Sequence, residues 1–261
     1  MRASFFAFRE GDREAGAAAL EEAFALGRVE GTKTIPGWYE VSVVLAREAL
    51  KLGIEIEYAK DLIRTLNLPP DESATESWPW PVKIYTLGQF SVSRDVKPIE
   101  FSRKTPKKPI ALLKCIIAFG GREVPERKLT EALWLDEEGD AAHEAFGVNL
   151  HRLRKLIGDH EAVLLHDGRV SVNERCCWID AWAFKLAQAA ASGDREDHVS
   201  LAQKALALYR GAFLSTDAEE PWTLSARERL RAKFIQQSCG WAKRRLMGTC
   251  RGVLPPRIGS R

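Results

Sequence analysis

Residues 144–158, EAFGVNLHRLRKLIG, decide how the rest of the chain is read. At about 100° per residue, a helix puts Phe146, Leu150, Leu153 and Ile157 on one narrow stripe and Val148, His151, Arg152 and Lys155 on the opposite side. One face requires a core. The other offers cations, with Arg154 on one flank and Asn149 on the other. A helix laid in a groove of DNA would thus present donors and acceptors to base edges and positive charge to phosphates. A basic face opposite an apolar stripe is also what a solvated surface helix looks like, so the flanking segments must separate the two readings.

Towards the C-terminus, 162–165 and 170–172 are β-like runs around His166-Asp167-Gly168-Arg169, where Asp-Gly signals a hairpin and sets Arg169 at its tip. Towards the N-terminus, 124–134 (VPERKLTEALW) reads as a short helix opened by Pro125, with Leu129, Leu133 and Trp134 inward and an acidic loop, 136–140, at its end. Before it, the basic segment 103–109 leads into an apolar helix, 110–119, stopped by Gly120-Gly121. Lys107 and Lys108 lie just ahead of that helix and oppose its dipole, which suits a nearby anion or a solvated basic loop. Further back the period is two: Val82, Ile84 and Tyr85 to Leu87, then Phe90 and Val92, then Ile99 and Phe101, with turns at Gly88 and Arg94-Asp95. Three strands, two helices, a basic helix and a hairpin carrying an arginine follow the order of a winged helix-turn-helix.

Residues 1–70 have helical periodicity: 13–26 is rich in Ala, Glu and Leu, Trp38, Val41, Leu45, Ala49 and Leu52 step by three and four, and Tyr58, Leu62 and Leu66 form a third stripe. Short helices with short connections suit stacked helical repeats. The pattern starts in mid-repeat at Met1, so it is expected to be either the last turns of a longer array or a small self-contained helical domain. Gly27 to Thr34 approaches a phosphate-binding loop but fails in glycine spacing, in order and in the absence of a preceding strand. Polar and proline-punctuated, 71–81 reads as a linker.

The totals permit much of this and exclude some alternatives. In 261 residues, 45% hydrophobic, there is material for one large or several small cores, and a net charge of +3 means that nucleic-acid affinity must come from local clustering. Five cysteines without a C-x-x-C pair argue against a zinc site or disulfide framework, and reduced thiols point to the cytoplasm. Neither a signal peptide nor a membrane span is apparent. No acid, base and nucleophile set stands out, so no catalytic residue, metal site or cofactor is expected. The adjacent Cys176 and Cys177 read as a strand position with a small buried side chain.

The span from Trp78 to about Ile179, with WPWPVKIYTLGQFSV, EALW, NLHRLRKLIG, DGRVSV and WID, resembles the winged-helix DNA-binding domain of OmpR/PhoB-type regulators. It is most similar to the form joined to a bacterial transcriptional activator domain, as in Streptomyces antibiotic regulatory proteins. IDAWAF (179–184), LYRGAFL (208–214), Pro221-Trp222 and RERL (227–230) resemble the opening of that tetratricopeptide-like activator domain, and 53–68 resembles the end of the helical repeats in STAND-type NTPase regulators. The resemblance implies a mainly α fold with a small β component. Its parts would be a helical-repeat-like segment (1–70), a linker (71–81), a winged helix (82–178), a partial activator domain (179–248) and a disordered tail (249–261). The cut-short activator domain would leave the apolar faces around Leu230, Phe234 and Trp241 incompletely covered.

Carried over by position, the resemblance makes 140–157 the major-groove helix, with Asn149, His151, Arg152, Arg154 and Lys155 at bases and phosphates. It puts Arg169 on the wing and makes Lys107 and Lys108 phosphate contacts. The family favours arginine where His151 stands, and it uses the segment matching 135–140 towards RNA polymerase. The expected partners are therefore double-stranded DNA, RNA polymerase through 135–140, and a second copy through the helical segments, with no membrane. The competing expectation is a helical interaction scaffold, or a truncated regulator remnant, whose winged helix no longer reads DNA.

Overall fold

Alanine, leucine and glutamate dominate the first seventy residues, and four helices form there: α1 (Arg2–Glu10), α2 (Arg13–Glu30), α3 (Tyr39–Leu52) and α4 (Ile56–Thr65). In this computed structural model the described residues are 1–32, 39–70, 76–101, 105–137, 139–191 and 198–250, excluding the side chains of 198–201 and 240–250. The chain divides into two compact units, Met1–Trp80 and Pro81–Arg261.

In the first unit, Leu20, Phe24, Leu45, Ala49 and Leu62 form a buried core, with Phe5 and Phe8 packed against it. That packing holds α1, which lies ahead of the first helical stripe read from the sequence. Asp12 caps α2 by accepting from the Ala15 amide at 3.0 Å. Gly27 is where α2 and α4 approach, since a Cβ there would lie 2.3 Å from the Tyr58 hydroxyl. The phosphate-loop near miss is thus a packing contact followed by a left-handed helix stop at Gly31. Trp38 falls outside the described residues, as does 71–75 of the expected linker; its remainder carries two buried side chains, Trp78 and Trp80.

The second unit begins with β1 (Val82–Tyr85), β2 (Ser91–Arg94) and β3 (Lys97–Pro98), an antiparallel meander with Ile84 opposite Val92. The third strand closes earlier than the apolar pair Ile99 and Phe101, because Asp95-Val96 turns the chain in two residues, both at positive φ (46° and 72°). Then come α5 (Lys107–Ala118), β4 (Val124–Pro125), α6 (Glu126–Leu133), α7 (Gly139–Ile157), the hairpin β5 (Val163–His166) and β6 (Arg169–Val172), and β7 (Cys177–Ile179). Helices α8 (Asp180–Ala191), α9 (His198–Leu208) and α10 (Pro221–Cys250) complete the chain's described part. The sheets are ordered β3-β2-β1-β7 and β4-β6-β5. The fold is mainly α with a small β component, a winged helix flanked by helical segments.

Three expectations change. Helix α5 begins at Lys107, so Lys107 and Lys108 occupy its first turn rather than a loop before it. Pro125 stands at the start of α6 as its N-cap, but with Val124 it also pairs with Val170 and Arg169 as a third wing strand, too short to show a period. The junction at 178/179 is not a seam, because β7 lies parallel to β1 in the first sheet and one core runs from Ile84 and Phe146 to Phe184, Phe213 and Leu230. Leu230 is therefore buried and Phe234 stacks on Tyr209 at 4.2 Å, so the faces expected to be uncovered are packed. The Trp241 side chain and the tail beyond Cys250 lie outside the described residues.

Candidate nucleic-acid interface

The apolar stripe of α7 does what its spacing predicts: Phe146, Leu150, Leu153 and Ile157 are buried in the core of the second unit. Two flanking residues are turned to structure. Asn149 is buried, and its Nδ2 donates to the Ala145 carbonyl at 2.7 Å, one turn back along the same helix. Arg154 is half-buried, and its Nε donates to the Val163 carbonyl at 2.9 Å, which ties α7 to β5. The exposed residues of α7 include Asp140, His143, Glu144, Val148, His151, Arg152 and Lys155, with His143 beside the Glu126 carboxylate. Of the five α7 side chains expected at bases and phosphates, Asn149 and Arg154 each commit a donor inside the fold, while His151, Arg152 and Lys155 are exposed.

Charge is ordered along that face. Asp140 and Glu144 stand at the N-terminal end and Arg152 and Lys155 at the C-terminal end, which complements the helix dipole and confines positive potential to the last turns. Arg94, read from sequence only as a turn residue, adds to it. Its Nη1 lies 2.0 Å from where a Cβ on Gly158 would stand, so glycine at the end of α7 admits a further guanidinium there, one whose Nε is 3.6 Å from the Asp95 carboxylate. The His151 ring is 6.3 Å from that of His160.

The hairpin beside α7 turns at Asp167-Gly168, both at positive φ (46° and 67°), the two-residue geometry that Asp-Gly signals. Arg169 is therefore beside the tip rather than on it. It faces His166 across the ladder, and its Nη1 donates to the Glu123 carbonyl at 3.3 Å. Leu164 and Leu165 are exposed on β5. The Gly168 carbonyl accepts from the Glu126 amide at 2.8 Å, so the wing caps the start of α6.

Lys108 is also committed. Its Nζ donates to the Leu133 carbonyl at the end of α6 and sits 5.4 Å from the Trp134 ring, where a cation offsets unpaired helix carbonyls. Lys107 stays exposed in the first turn of α5. The segment after α6 is open to solvent, with Leu135 81% exposed.

Asp180 has a role that sequence reading missed. It is buried and accepts from the Thr86 amide (2.8 Å), Thr86 Oγ1 (2.7 Å), the Leu87 amide (2.8 Å) and the Ala181 amide (2.7 Å). Burial raises its carboxyl above the ordinary range, against the pull of those donors. Its signal was the WID run followed by a helix, where an acidic residue suits the first turn. Cys176 and Cys177 have Sγ atoms 3.8 Å apart and are unbridged. Their mutual hydrogen bond lowers the Cys176 thiol and, together with burial, raises that of Cys177 well above its usual value. Among the described residues no group of His, Cys, Asp and Glu is arranged to hold a metal ion, and no helix is long and apolar enough to cross a membrane.

The arrangement defines a winged helix with an exposed cationic turn on its third helix. No protein-family model and no curated protein sequence matches the chain. Among solved structures it is similar to Mycobacterium tuberculosis EmbR in complex with low affinity phosphopeptide, at 20% identity and a TM-score of 0.50, over 63% of this chain and 48% of that one. The chain thus spans about half the length of the structure it matches. At that identity the likeness establishes a shared fold.

Proposed function

We propose that the chain is a sequence-specific DNA-binding transcriptional regulator, an activator, that reads the major groove with the outer face of α7 and contacts the adjacent groove or backbone with the wing at Arg169. The observation that carries this reading is the division of α7. Its inner stripe is fully spent on the core, while among the described residues no carboxylate pairs with His151, Arg152 or Lys155, which lie beside a hairpin. Arg152 is the residue suited to a guanine edge, Lys155 and Lys107 to phosphates. The segment at 135–140, exposed at its described residues, is the surface for RNA polymerase, and the helical segments are where copies would associate. Its test is binding of operator and random duplex as a function of salt. Affinity should fall steeply as counterions are released, and Arg152→Ala should erode the operator preference.

A second reading draws on the first unit, where Leu26 (56%), Val29 (75%) and Leu52 (48%) are exposed. An interaction scaffold would use such a surface and would bind a protein partner with Arg152 and Lys155 both replaced.

A further inference from the structure

Away from α7, helices α5, α8 and α10 border a shallow cleft open to solvent, walled by Ile117, Ala181, Trp182 and Leu230 and carrying Lys185 and Arg229. Trp182 is fixed there: its Nε1 donates to the Gly120 carbonyl at 3.1 Å, and Gly121 gives the ring room, since a Cβ would lie 2.4 Å from it. The Arg122 guanidinium covers the same ring at 5.2 Å.

The charges around this cleft do not balance. Lys185 is half-buried, and no carboxylate among the described residues pairs with it. Burial pushes its ammonium below the usual range, and Arg229, Lys233 and Arg122 push the same way. Arg229 and Lys233 stand four residues apart on α10, a like-charge spacing that destabilises a helix. Among the described residues Arg229 donates to the Ser225 hydroxyl and no carboxylate, and of the four cations only Arg122 has an acid there, Glu174, at 2.9 Å. A half-buried cation among cations weakens a fold unless an anion is bound there.

We propose that this cleft is a binding site for a small phosphorylated ligand, whose phosphoryl group is held by Lys185 and Arg229, with Lys233 and Arg122 at the rim and an apolar remainder against Trp182. A recessed lysine flanked by guanidinium groups fits a compact dianion better than the extended backbone of a duplex, which would meet only the exposed Arg122, Arg229 and Lys233. The bound group would join the end of α5, in the winged helix, to α8 and α10. The site is independent of the DNA-reading proposal.

Pyrophosphate is the probe, titrated calorimetrically into the full chain at fixed ionic strength set with sodium chloride. Saturable binding is expected, weakened about tenfold or more in Arg229→Gln and in Lys185→Met. Lys185→Met should also melt higher than the parent when no ligand is present, an effect that a lysine supporting the fold would reverse. No saturable heat with the parent chain, or unchanged binding in Arg229→Gln, overturns the proposal. So does a loss confined to duplex affinity in Arg229→Gln and Lys233→Gln, which would make the cluster a DNA backbone contact.

Discussion

Arg152 and Arg154 stand two residues apart in α7 and serve different ends. Arg152 is exposed, whereas Arg154 reaches the Val163 carbonyl and fixes the helix to the hairpin. Arg152→Ala is therefore expected to remove about 1–3 kcal/mol of discrimination between operator and random duplex with little loss of stability, measured by paired titrations. Arg154→Ala should instead lower the melting temperature and weaken both duplexes together. Lys108→Ala belongs with Arg154: losing its contact to the Leu133 carbonyl should reduce stability by about 0.5–1.5 kcal/mol in denaturant titrations and leave the salt slope of DNA binding unchanged. Asp180→Asn places an amide among four donors and should cost about 1–3 kcal/mol or more. The folded Asp180 carboxyl holds its proton more tightly than the unfolded chain, so its contribution to stability is full below the ordinary carboxylate range. That contribution declines as pH rises through the raised value. A stability profile against pH should lose that decline in Asp180→Asn.

At the scale of elements, the two short hairpins differ in how well sequence and geometry agree. Asp167-Gly168 fits its turn, whereas Asp95-Val96 puts a β-branched, 73% exposed side chain at φ 72°. Val96→Gly is expected to stabilise the second unit by about 1 kcal/mol, read as a shift in denaturant midpoint. The same contrast explains what was legible in the sequence. The stripe of α7, the Asp-Gly hairpin and the inward residues of α6 are strongly periodic or chemically specific, and they stand where they were read. The strand at Val124-Pro125 and the helix at Arg2–Glu10 are not, since two residues show no period and α1 is stabilised by packing against its unit's core. The site was legible as far as helical projection goes. Projection places Asn149 and Arg154 on the flanks of α7 but cannot tell that each would find an acceptor, one in its own helix and one in β5.

For the second unit as a whole, the winged helix and the helices after it share one core. Phe213, from beyond α9, is buried and bridges to Leu87 at the end of the first sheet, and Lys114 of α5 pairs with Asp217 at 2.7 Å. Phe213→Ala should therefore cost about 3–5 kcal/mol and lower hydrogen-exchange protection in β1 and α10 together, not in the helices after β7 alone. The parallel pairing of β1 with β7 reaches across more than ninety residues, and no local period announces it. The central claim, that this unit reads DNA sequence, is tested most directly by selecting genome fragments on the purified chain at near-physiological salt and sequencing those retained. The account expects an enriched, regularly spaced motif that is lost in Arg152→Ala. A folded chain that retains no fragment, or retains fragments without a motif, contradicts it.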